Sequence, residues 1–230
     1  HKPLGLQLKR SNYMSVIAIT EAVESLNQAE SLLGLSRATD SQFFSEWTED
    51  LPELLPSEEA ALDRIKTNYF YNSAEGPLSE STINLLLISP LLYLARLCDP
   101  PFKIRGEKAV EIAVEEGNKI LRGRIDALVL QERLWLILVE SKQAKFSFSM
   151  AIPQALTYMM GSPNGGEPIF GLVTNGDGFM FLKVVKQPRP LYGLSDDFSL
   201  FCQSRNELYD VLRILKRLGA IWEHPFRQVA

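Results

Sequence analysis

The chain has 230 residues, of which 46% are hydrophobic and 23% charged, and its formal net charge is −4. These values are ordinary for a globular protein with a buried core and exclude a disordered chain. No apolar run reaches the roughly 18 residues of a membrane-spanning helix. The two cysteines, Cys98 and Cys202, stand far apart, which excludes a disulfide framework and a zinc knuckle. We therefore expect a cytoplasmic protein without a membrane partner.

The charge is divided unevenly along the chain. Residues 1–99 carry 7 Lys and Arg against 14 Asp and Glu, a balance of −7, whereas residues 100–230 carry 17 against 14, a balance of +3. Local potential matters more than total charge where phosphates are bound. The second part can therefore offer a basic surface to a nucleic acid although the whole chain is acidic.

Hydrophobic periodicity and turn residues predict an alternation of helices and strands. The predicted elements are, in chain order, helices over 15–35, 57–71 and 80–97, strands over 109–115, 120–130 and 134–140, a helix over 149–160, strands over 169–174 and 179–185, and a helix over 206–218. Thr20 and Ser79 are the predicted N-caps of the first and third helices, and Gly34 ends the first. The third helix is expected to be buried, because residues 83–97 are almost entirely apolar.

The best internal boundary is residues 72–79, which contain Gly76-Pro77. Residues 1–75 are accordingly interpreted as a helical N-terminal segment, with residues 1–13 a remnant that precedes a natural start at Met14. Residues 76–230 are predicted to form the main domain. We expect an α/β fold with a central mixed β-sheet flanked by helices.

Two carboxylates occupy strands that have apolar residues on both faces. Asp126 lies within the strand 120–130 and Glu140 at the end of the strand 134–140. A hairpin between these strands is predicted to place the two acids directly opposite each other, with Cβ atoms roughly 5 Å apart. Lys142, two residues after Glu140, then points to the same face.

Such a group of side chains favours metal-assisted hydrolysis of a phosphodiester. Two close carboxylates repel each other unless a cation lies between them, and hard oxygen ligands suit Mg²⁺. A metal-bound water is a ready nucleophile. Lys142 is predicted to orient that water or to stabilise charge on the phosphate oxygens.

The motifs resemble those of a known nuclease superfamily. Gly123-Arg124-Ile125-Asp126 and, after thirteen residues, Glu140-Ser141-Lys142 are followed by Gln154-Ala155-Leu156-Thr157-Tyr158 and by Thr174-Asn175-Gly176. Their order is similar to that in the PD-(D/E)XK nuclease superfamily, and more narrowly in the nuclease domain of type I restriction-enzyme motor subunits. The resemblance covers roughly residues 78–188, and Ile125 replaces the family's proline before the first acid.

The resemblance implies a restriction-endonuclease-like core and a Mg²⁺-dependent endonuclease that acts on DNA, with Mn²⁺ as a substitute. Asp126, Glu140 and Lys142 match the catalytic positions, and Asp126 and Glu140 are the expected metal ligands. Glu80 matches an acid that assists the metal in many members. Gln154 and Tyr158 are expected to position the DNA strand, as is Arg124 if it contacts phosphate.

Other interpretations stay open for several of these residues. Gln154 and Tyr158 share a helix face and are also compatible with ordinary packing against the sheet. Glu80 is compatible with a purely structural role at the N-terminal end of a helix, where the dipole favours an acid. Arg124 is compatible with a structural ion pair. The sequence has no G-x-x-x-x-G-K-[ST] motif, so no motor is encoded in it.

The rival to the nuclease hypothesis is a catalytically silent DNA-binding or assembly module with the same fold. In that case the acidic N-terminal segment is expected to contact a protein partner. A small-molecule enzyme that uses the same acid pair is a third and weaker alternative. Cleavage of both strands of a duplex would favour a homodimer.

Overall fold

The computed structural model describes residues 15–105, 108–114, 119–125, 127–130, 134–138 and 148–223. The helices are α1 (Ile19–Ala22), α2 (Leu26–Leu33), α3 (Pro56–Ser73), α4 (Glu80–Ile83), α5 (Ser89–Leu94), α6 (Phe148–Met160) and α7 (Leu208–Glu223), with a 3₁₀ turn at Ser45–Trp47 and a π-helical segment at Asn84–Ile88. The strands are β1 (Ser15–Ala18), β2 (Ser36–Arg37), β3 (Ile104–Arg105), β4 (Lys108–Val114), β5 (Lys119–Ile125), β6 (Ala127–Leu130), β7 (Leu134–Leu138), β8 (Ile169–Thr174), β9 (Gly178–Val185) and β10 (Leu191–Ser199).

The strands form two mixed sheets flanked by helices. The larger sheet has seven strands in the order β2-β10-β9-β8-β7-β6-β3, and the smaller has three in the order β1-β5-β4. In the larger sheet β7 and β8 run parallel, as do β2 and β10, whereas its other pairs are antiparallel. The predicted α/β class is confirmed, but two sheets replace the single central sheet that we expected.

The larger sheet is covered on both faces at β8, because all six residues of that strand are buried. Alternate residues of β8 enter two separate cores. Phe170 and Leu172 join a core with α3, α5 and α7, whereas Ile169 and Val173 join a second core with α2, α6 and Leu121 of β5. Among the described residues no helix is long and apolar enough to cross a membrane.

The N-terminal segment is built into the same cores. Its Phe44 and Leu62 belong to the first core and Ile19 to the second. Its strands also complete both sheets, because β1 pairs with β5 and β2 pairs with β10. The expected helical segment over residues 1–75 therefore contributes strands and core side chains to the main domain wherever it is described.

Cations on α7 bind the acidic part of the N-terminal segment. Lys216 Nζ lies 2.7 Å from Glu58 Oε1, and Arg217 lies 3.0 Å from Asp50 Oδ2. Arg213 Nε donates to the Pro52 carbonyl at 3.0 Å. Burial alone raises the pKa of Glu58, but its hydrogen bonds to Lys216 and to the Leu55 amide outweigh burial and lower it. The acidic and basic parts of the sequence thus neutralise each other partly inside the fold.

Several predicted elements are confirmed. Helices occur at Pro56–Ser73, Phe148–Met160 and Leu208–Glu223, and a strand occupies Ile169–Thr174 as predicted. Ser79 caps the helix that begins at Glu80 by accepting from the Thr82 amide at 3.2 Å. That helix continues through the π-helical segment into α5. The prediction that this helix is buried is confirmed for its inner face, where Ile83, Leu87 and Leu91 are buried. It is wrong for the outer face, where Leu85 and Tyr93 are 70% and 71% exposed.

Other predictions at the level of single elements were wrong. Residues 15–18 form β1 instead of the start of a helix, because β-branched Val16 and Ile17 suit the strand that pairs with β5. The N-cap of the following long helix is Ser25 and not Thr20, although Gly34 ends that helix as predicted, with φ of 61°. The predicted strand 120–130 is divided between β5 and β6, which belong to different sheets.

The predicted register of the β6–β7 hairpin was also wrong. That register would place Leu128 opposite Leu138, whereas the structure pairs Leu128 with Leu136 and Leu130 with Leu134. The difference is two residues along the strand, so each described residue keeps its predicted face of the sheet.

Lys183 on β9 and Glu46 in the 3₁₀ turn form a mostly buried ion pair. Their side chains are 10% and 17% exposed, and Lys183 Nζ lies 2.6 Å from Glu46 Oε1. Lys183 also donates to the Phe43 carbonyl at 2.7 Å and lies 5.8 Å from the centre of the Phe170 ring. The pair fixes the 3₁₀ turn over one face of the larger sheet.

We expect Glu46→Ala to lower the free energy of unfolding by about 3 kcal/mol, because it leaves the buried Lys183 ammonium without its counter-charge. The double variant Glu46→Leu, Lys183→Met is expected to recover most of this loss. Urea denaturation followed by circular dichroism measures both. The matched control is Glu111→Ala, which breaks an ion pair with Arg122 whose side chains are 52% and 60% exposed. That change should cost less than about 1 kcal/mol, and an equal cost at both sites would contradict the assignment.

Candidate functional site

The parallel strands β7 and β8 end at the same edge of the larger sheet. Leu138, the last residue of β7, pairs with Thr174, the last residue of β8. The chain leaves β7 toward the predicted Glu140-Ser141-Lys142 motif and leaves β8 through the Asn175-Gly176 turn. Because ligands of α/β proteins commonly bind beyond the carboxyl ends of parallel strands, this edge is the candidate site. We call it the carboxyl edge.

The turn after β8 is held by its own side chains. Thr174 Oγ1 accepts a hydrogen bond from the Gly176 amide at 3.0 Å, and Asn175 Oδ1 accepts one from the Gly178 amide at 2.9 Å. Gly176 has a φ of 99°, a backbone angle that residues with a side chain rarely adopt. Each residue of Thr174-Asn175-Gly176 therefore has a structural role in this turn. The two side chains accept hydrogen bonds from turn amides, and the glycine adopts the backbone conformation that the turn requires.

Helix α4 packs against this turn. A Cβ atom at position 176 would lie 2.8 Å from Ile83 Cδ1, so the glycine also permits close approach of the helix. Ile83 is buried and follows Glu80 by three residues. Glu80 itself is half-buried in the first turn of α4, where the helix dipole favours a carboxylate. The structure thus brings the start of α4, including Glu80, close to the carboxyl edge.

The three predicted catalytic residues lie outside the described residues. These are Asp126, Glu140 and Lys142. Their described chain neighbours are Ile125 and Ala127 around Asp126, and Leu138 before Glu140. For Arg124 only the backbone is described, in β5 opposite Ala109. Its two interpretations, a phosphate contact or an ion pair, both stay open.

The two predicted positioning residues on α6 differ in environment. Tyr158 is 3% exposed and belongs to the second core, whereas Gln154 is half-buried. Helix α6 connects two parallel strands and therefore runs back from the carboxyl edge along the sheet. The burial of Tyr158 favours a packing role, while Gln154 lies one turn closer to the carboxyl edge and keeps accessible surface.

The donor set predicted for the metal consists of Asp126, Glu140 and Glu80. Among the residues that the structure describes, no group of three or more His, Cys, Asp or Glu side chains forms a metal site. Of the three predicted ligands, Glu80 alone falls within those residues. The chemistry of the set suits Mg²⁺, because all three ligands are carboxylates, which supply the hard oxygen atoms that this ion requires.

Asp177 at the carboxyl edge was not predicted as a site residue. Its carboxylate is half-buried, and burial raises its pKa more than the hydrogen bond from Asn175 lowers it. Burial, with the nearby charge of Asp177, raises the pKa of Tyr69 to about 12. A carboxylate kept partly desolvated beside a candidate site is typical of functional groups. No pattern in the sequence indicates this environment, since Asn175-Gly176-Asp177-Gly178 predicts only a turn.

Several cationic side chains of the C-terminal half form ion pairs or hydrogen bonds within the chain. On α7, Arg213, Lys216 and Arg217 bind the N-terminal segment as described above, and Arg205 lies 2.7 Å from Asp210. Lys186 is half-buried and donates to the Ser162 carbonyl, and burial lowers its pKa. The expected basic surface for phosphates therefore has to come from other cations than these.

Comparison of the sequence with protein-family models finds no matching family, and comparison with curated proteins finds no match.

The packing of the turn on α4 predicts a large effect of Gly176→Ala. We expect a loss of about 2–4 kcal/mol in the free energy of unfolding, because alanine is strained at this φ and its Cβ overlaps Ile83. Gly165→Ala is the matched control, since a Cβ there meets no atom within 4 Å. Urea denaturation compares the two. Equal stability of both variants would contradict the contact, whereas partial recovery by added Ile83→Val would support it.

The desolvation of Asp177 predicts that Asp177→Asn stabilises the protein at pH 7, by roughly 1–2 °C in Tm once solvent screening is considered. Asparagine keeps an acceptor for Asn175 but carries no charge. A carboxyl with a raised folded-state pKa costs stability above its unfolded-state pKa, and this cost disappears as the pH falls below that value. Thermal melts at pH 7 and pH 3 check the sign. A larger gain at pH 3 than at pH 7 would refute it.

Proposed function

We propose that the protein is a metal-dependent endonuclease on a restriction-endonuclease-like core, with DNA as its substrate. One observation carries the proposal: β7, which leads into Glu140-Ser141-Lys142, ends beside β8, which leads into Thr174-Asn175-Gly176. Two motifs that are 32 residues apart in the sequence thus leave the sheet at one edge. The start of α4, with Glu80, packs against the same edge through Ile83 and Gly176.

The proposed roles follow from the chemistry of each side chain. Asp126 and Glu140 bind a divalent cation, with Glu80 as an assisting acid. When bound, Mg²⁺ or Mn²⁺ would acidify a water molecule at neutral pH and so supply the nucleophile. Lys142 stabilises charge that develops on the phosphate oxygens. Gln154 positions the DNA strand from α6, and Arg124 contacts phosphate.

The corrected hairpin register adjusts the expected geometry of the acid pair. On the register of the described strands we expect Asp126 and Glu140 to be diagonal neighbours on one face, with Cα atoms about 7–8 Å apart. A direct pair would be closer, about 5 Å. At the diagonal spacing we still expect the two carboxylates to share one cation, because both belong to the same face of the sheet.

The decisive experiment compares cleavage of plasmid DNA by the wild-type chain, Asp126→Ala and Lys142→Ala in Mg²⁺ and in Mn²⁺. We expect each substitution to lower the rate at least about 100-fold, as loss of one charge-stabilising group does in other enzymes, and chelation of the metal to abolish cleavage. The matched controls are Asp196→Ala and Lys103→Ala, whose residues are exposed. Equal nicking by all five proteins would sink the proposal, because a contaminant would then explain the activity.

The same proteins distinguish the silent module from the nuclease. Binding to labelled duplex in Ca²⁺ is measured by fluorescence anisotropy, with the salt dependence reporting phosphate contacts. Binding without cleavage in Mg²⁺ or Mn²⁺ would support a DNA-binding module that lacks the chemistry. Absence of both binding and cleavage would exclude a DNA role altogether.

A further inference from the structure

The continuous helix formed by α4, the π-helical segment and α5 has an unusual solvent face. Residues 81–95 contain no charged side chain. The inner face is buried in the first core through Ile83, Leu87 and Leu91. A helix on a protein surface ordinarily carries charged residues on its outer face, and an uncharged outer face is typical of a helix that is covered.

Four exposed residues recur at intervals of four on this outer face: Ser81, Leu85, Ser89 and Tyr93. Leu85 is 70% and Tyr93 71% exposed. We call these four residues the outer stripe. Elsewhere in the described chain, large apolar side chains such as Tyr71 on α3 and Leu55 before it are exposed without such a spacing, and scattered residues of this kind need no explanation.

We propose that the outer stripe is a self-association surface on which two copies of the chain pack antiparallel about a two-fold axis at Ser89. Leu85 and Tyr93 lie four residues to either side of Ser89, so a two-fold axis there brings Leu85 of one copy onto Tyr93 of the other. An isologous interface requires such self-complementarity. The small side chain of Ser89 lets the two helices approach closely where they cross.

The charges at the ends of the helix favour the antiparallel arrangement. An acid, Glu80, begins the helix, and a cation, Arg96, follows its end and is exposed. Antiparallel packing brings the acidic end of one copy toward the cationic end of the other, whereas parallel packing would bring like charges together. The helix dipoles also oppose each other favourably in this arrangement.

The size of the surface sets the expected strength. One helix face is small beside the roughly 800 Å² per partner of a stable complex, so we expect a weak, reversible dimer. Because α4 also begins at the carboxyl edge, each dimer would carry two candidate sites. The inference does not rest on the proposed nuclease, since it concerns association without DNA.

Sedimentation velocity of the full chain between about 5 and about 300 µM tests the proposal. We expect the weight-average mass to rise toward twice the monomer mass with concentration. The double variant Leu85→Glu, Tyr93→Glu should weaken association at least 10-fold, because two copies then place four carboxylates in an apolar contact. Tyr71→Glu is the matched control, since Tyr71 is 82% exposed on a different helix. Circular dichroism shows whether each variant is folded.

Cross-linking tests the position of the axis. In a background of Cys98→Ser and Cys202→Ser, the variant Ser89→Cys should form a disulfide-linked dimer on mild oxidation, because each copy meets the other at this residue. Thr67→Cys on the exposed face of α3 should not. A chain that stays monomeric at about 300 µM overturns the proposal. Association that the double variant leaves unchanged, or a Ser89→Cys variant that does not cross-link, also overturns it. A monomer that the double variant unfolds would show that other parts of the chain cover the stripe, which also overturns it.

Discussion

The parallel pairing of β7 with β8 is the constraint on which the rest of the structure depends. Antiparallel neighbours can be joined by a short hairpin, but parallel neighbours need a long crossover that returns the chain to the starting edge of the sheet. Here the crossover contains α6, which covers one face of the larger sheet and separates the second core from solvent. Its approach is close, because a Cβ at Gly171 of β8 would lie 2.8 Å from Met159 Sδ. The same pairing sends both strands out at the carboxyl edge, where the candidate site lies.

On the opposite face of the larger sheet, α7 is held by ion pairs as well as by buried apolar side chains. Helix α7 buries Leu212, Leu215 and Leu218 in the first core, while Lys216 and Arg217 bind Glu58 and Asp50 of the N-terminal segment. The excess of acid in the first 99 residues therefore serves in part as the counter-charge of α7. A protein partner that recognised this acidic segment would have to bind acidic side chains that are not already paired with cations of α7. The net charge of the chain is accordingly a weak guide to what it binds.

Sequence patterns predicted the elements whose structure depends on neighbouring residues. They failed for elements whose structure depends on contacts with residues far away in the chain. Hydrophobic periodicity and capping residues predicted α3, α6 and α7, and the residues of the turn after β8 predicted that turn. Strand β10 was missed because Ser195, Asp196 and Asp197 are poor strand formers. The structure accommodates them in a bulge, where Ser195 Oγ accepts a hydrogen bond from the Phe181 amide at 2.9 Å. At the candidate site, motif order did not predict that β7 and β8 are parallel neighbours that end at one edge. The partial burial of Asp177 depends on its tertiary surroundings, including Tyr69, and no local pattern shows it.

The helix that begins at Glu80 connects the candidate site with the outer surface of the protein. Ile83 contacts Gly176 at the carboxyl edge, and Leu85, two residues later, faces solvent. Between them begins the π-helical segment Asn84–Ile88, whose wider turn is uncommon and is often found near functional sites. A wider turn costs helix stability unless tertiary contacts compensate, and here Leu87 and Ile88 are both fully buried. The position of α4 relative to the carboxyl edge is set by the close approach of Ile83 to Gly176 and by the burial of Leu87 and Ile88 in the first core.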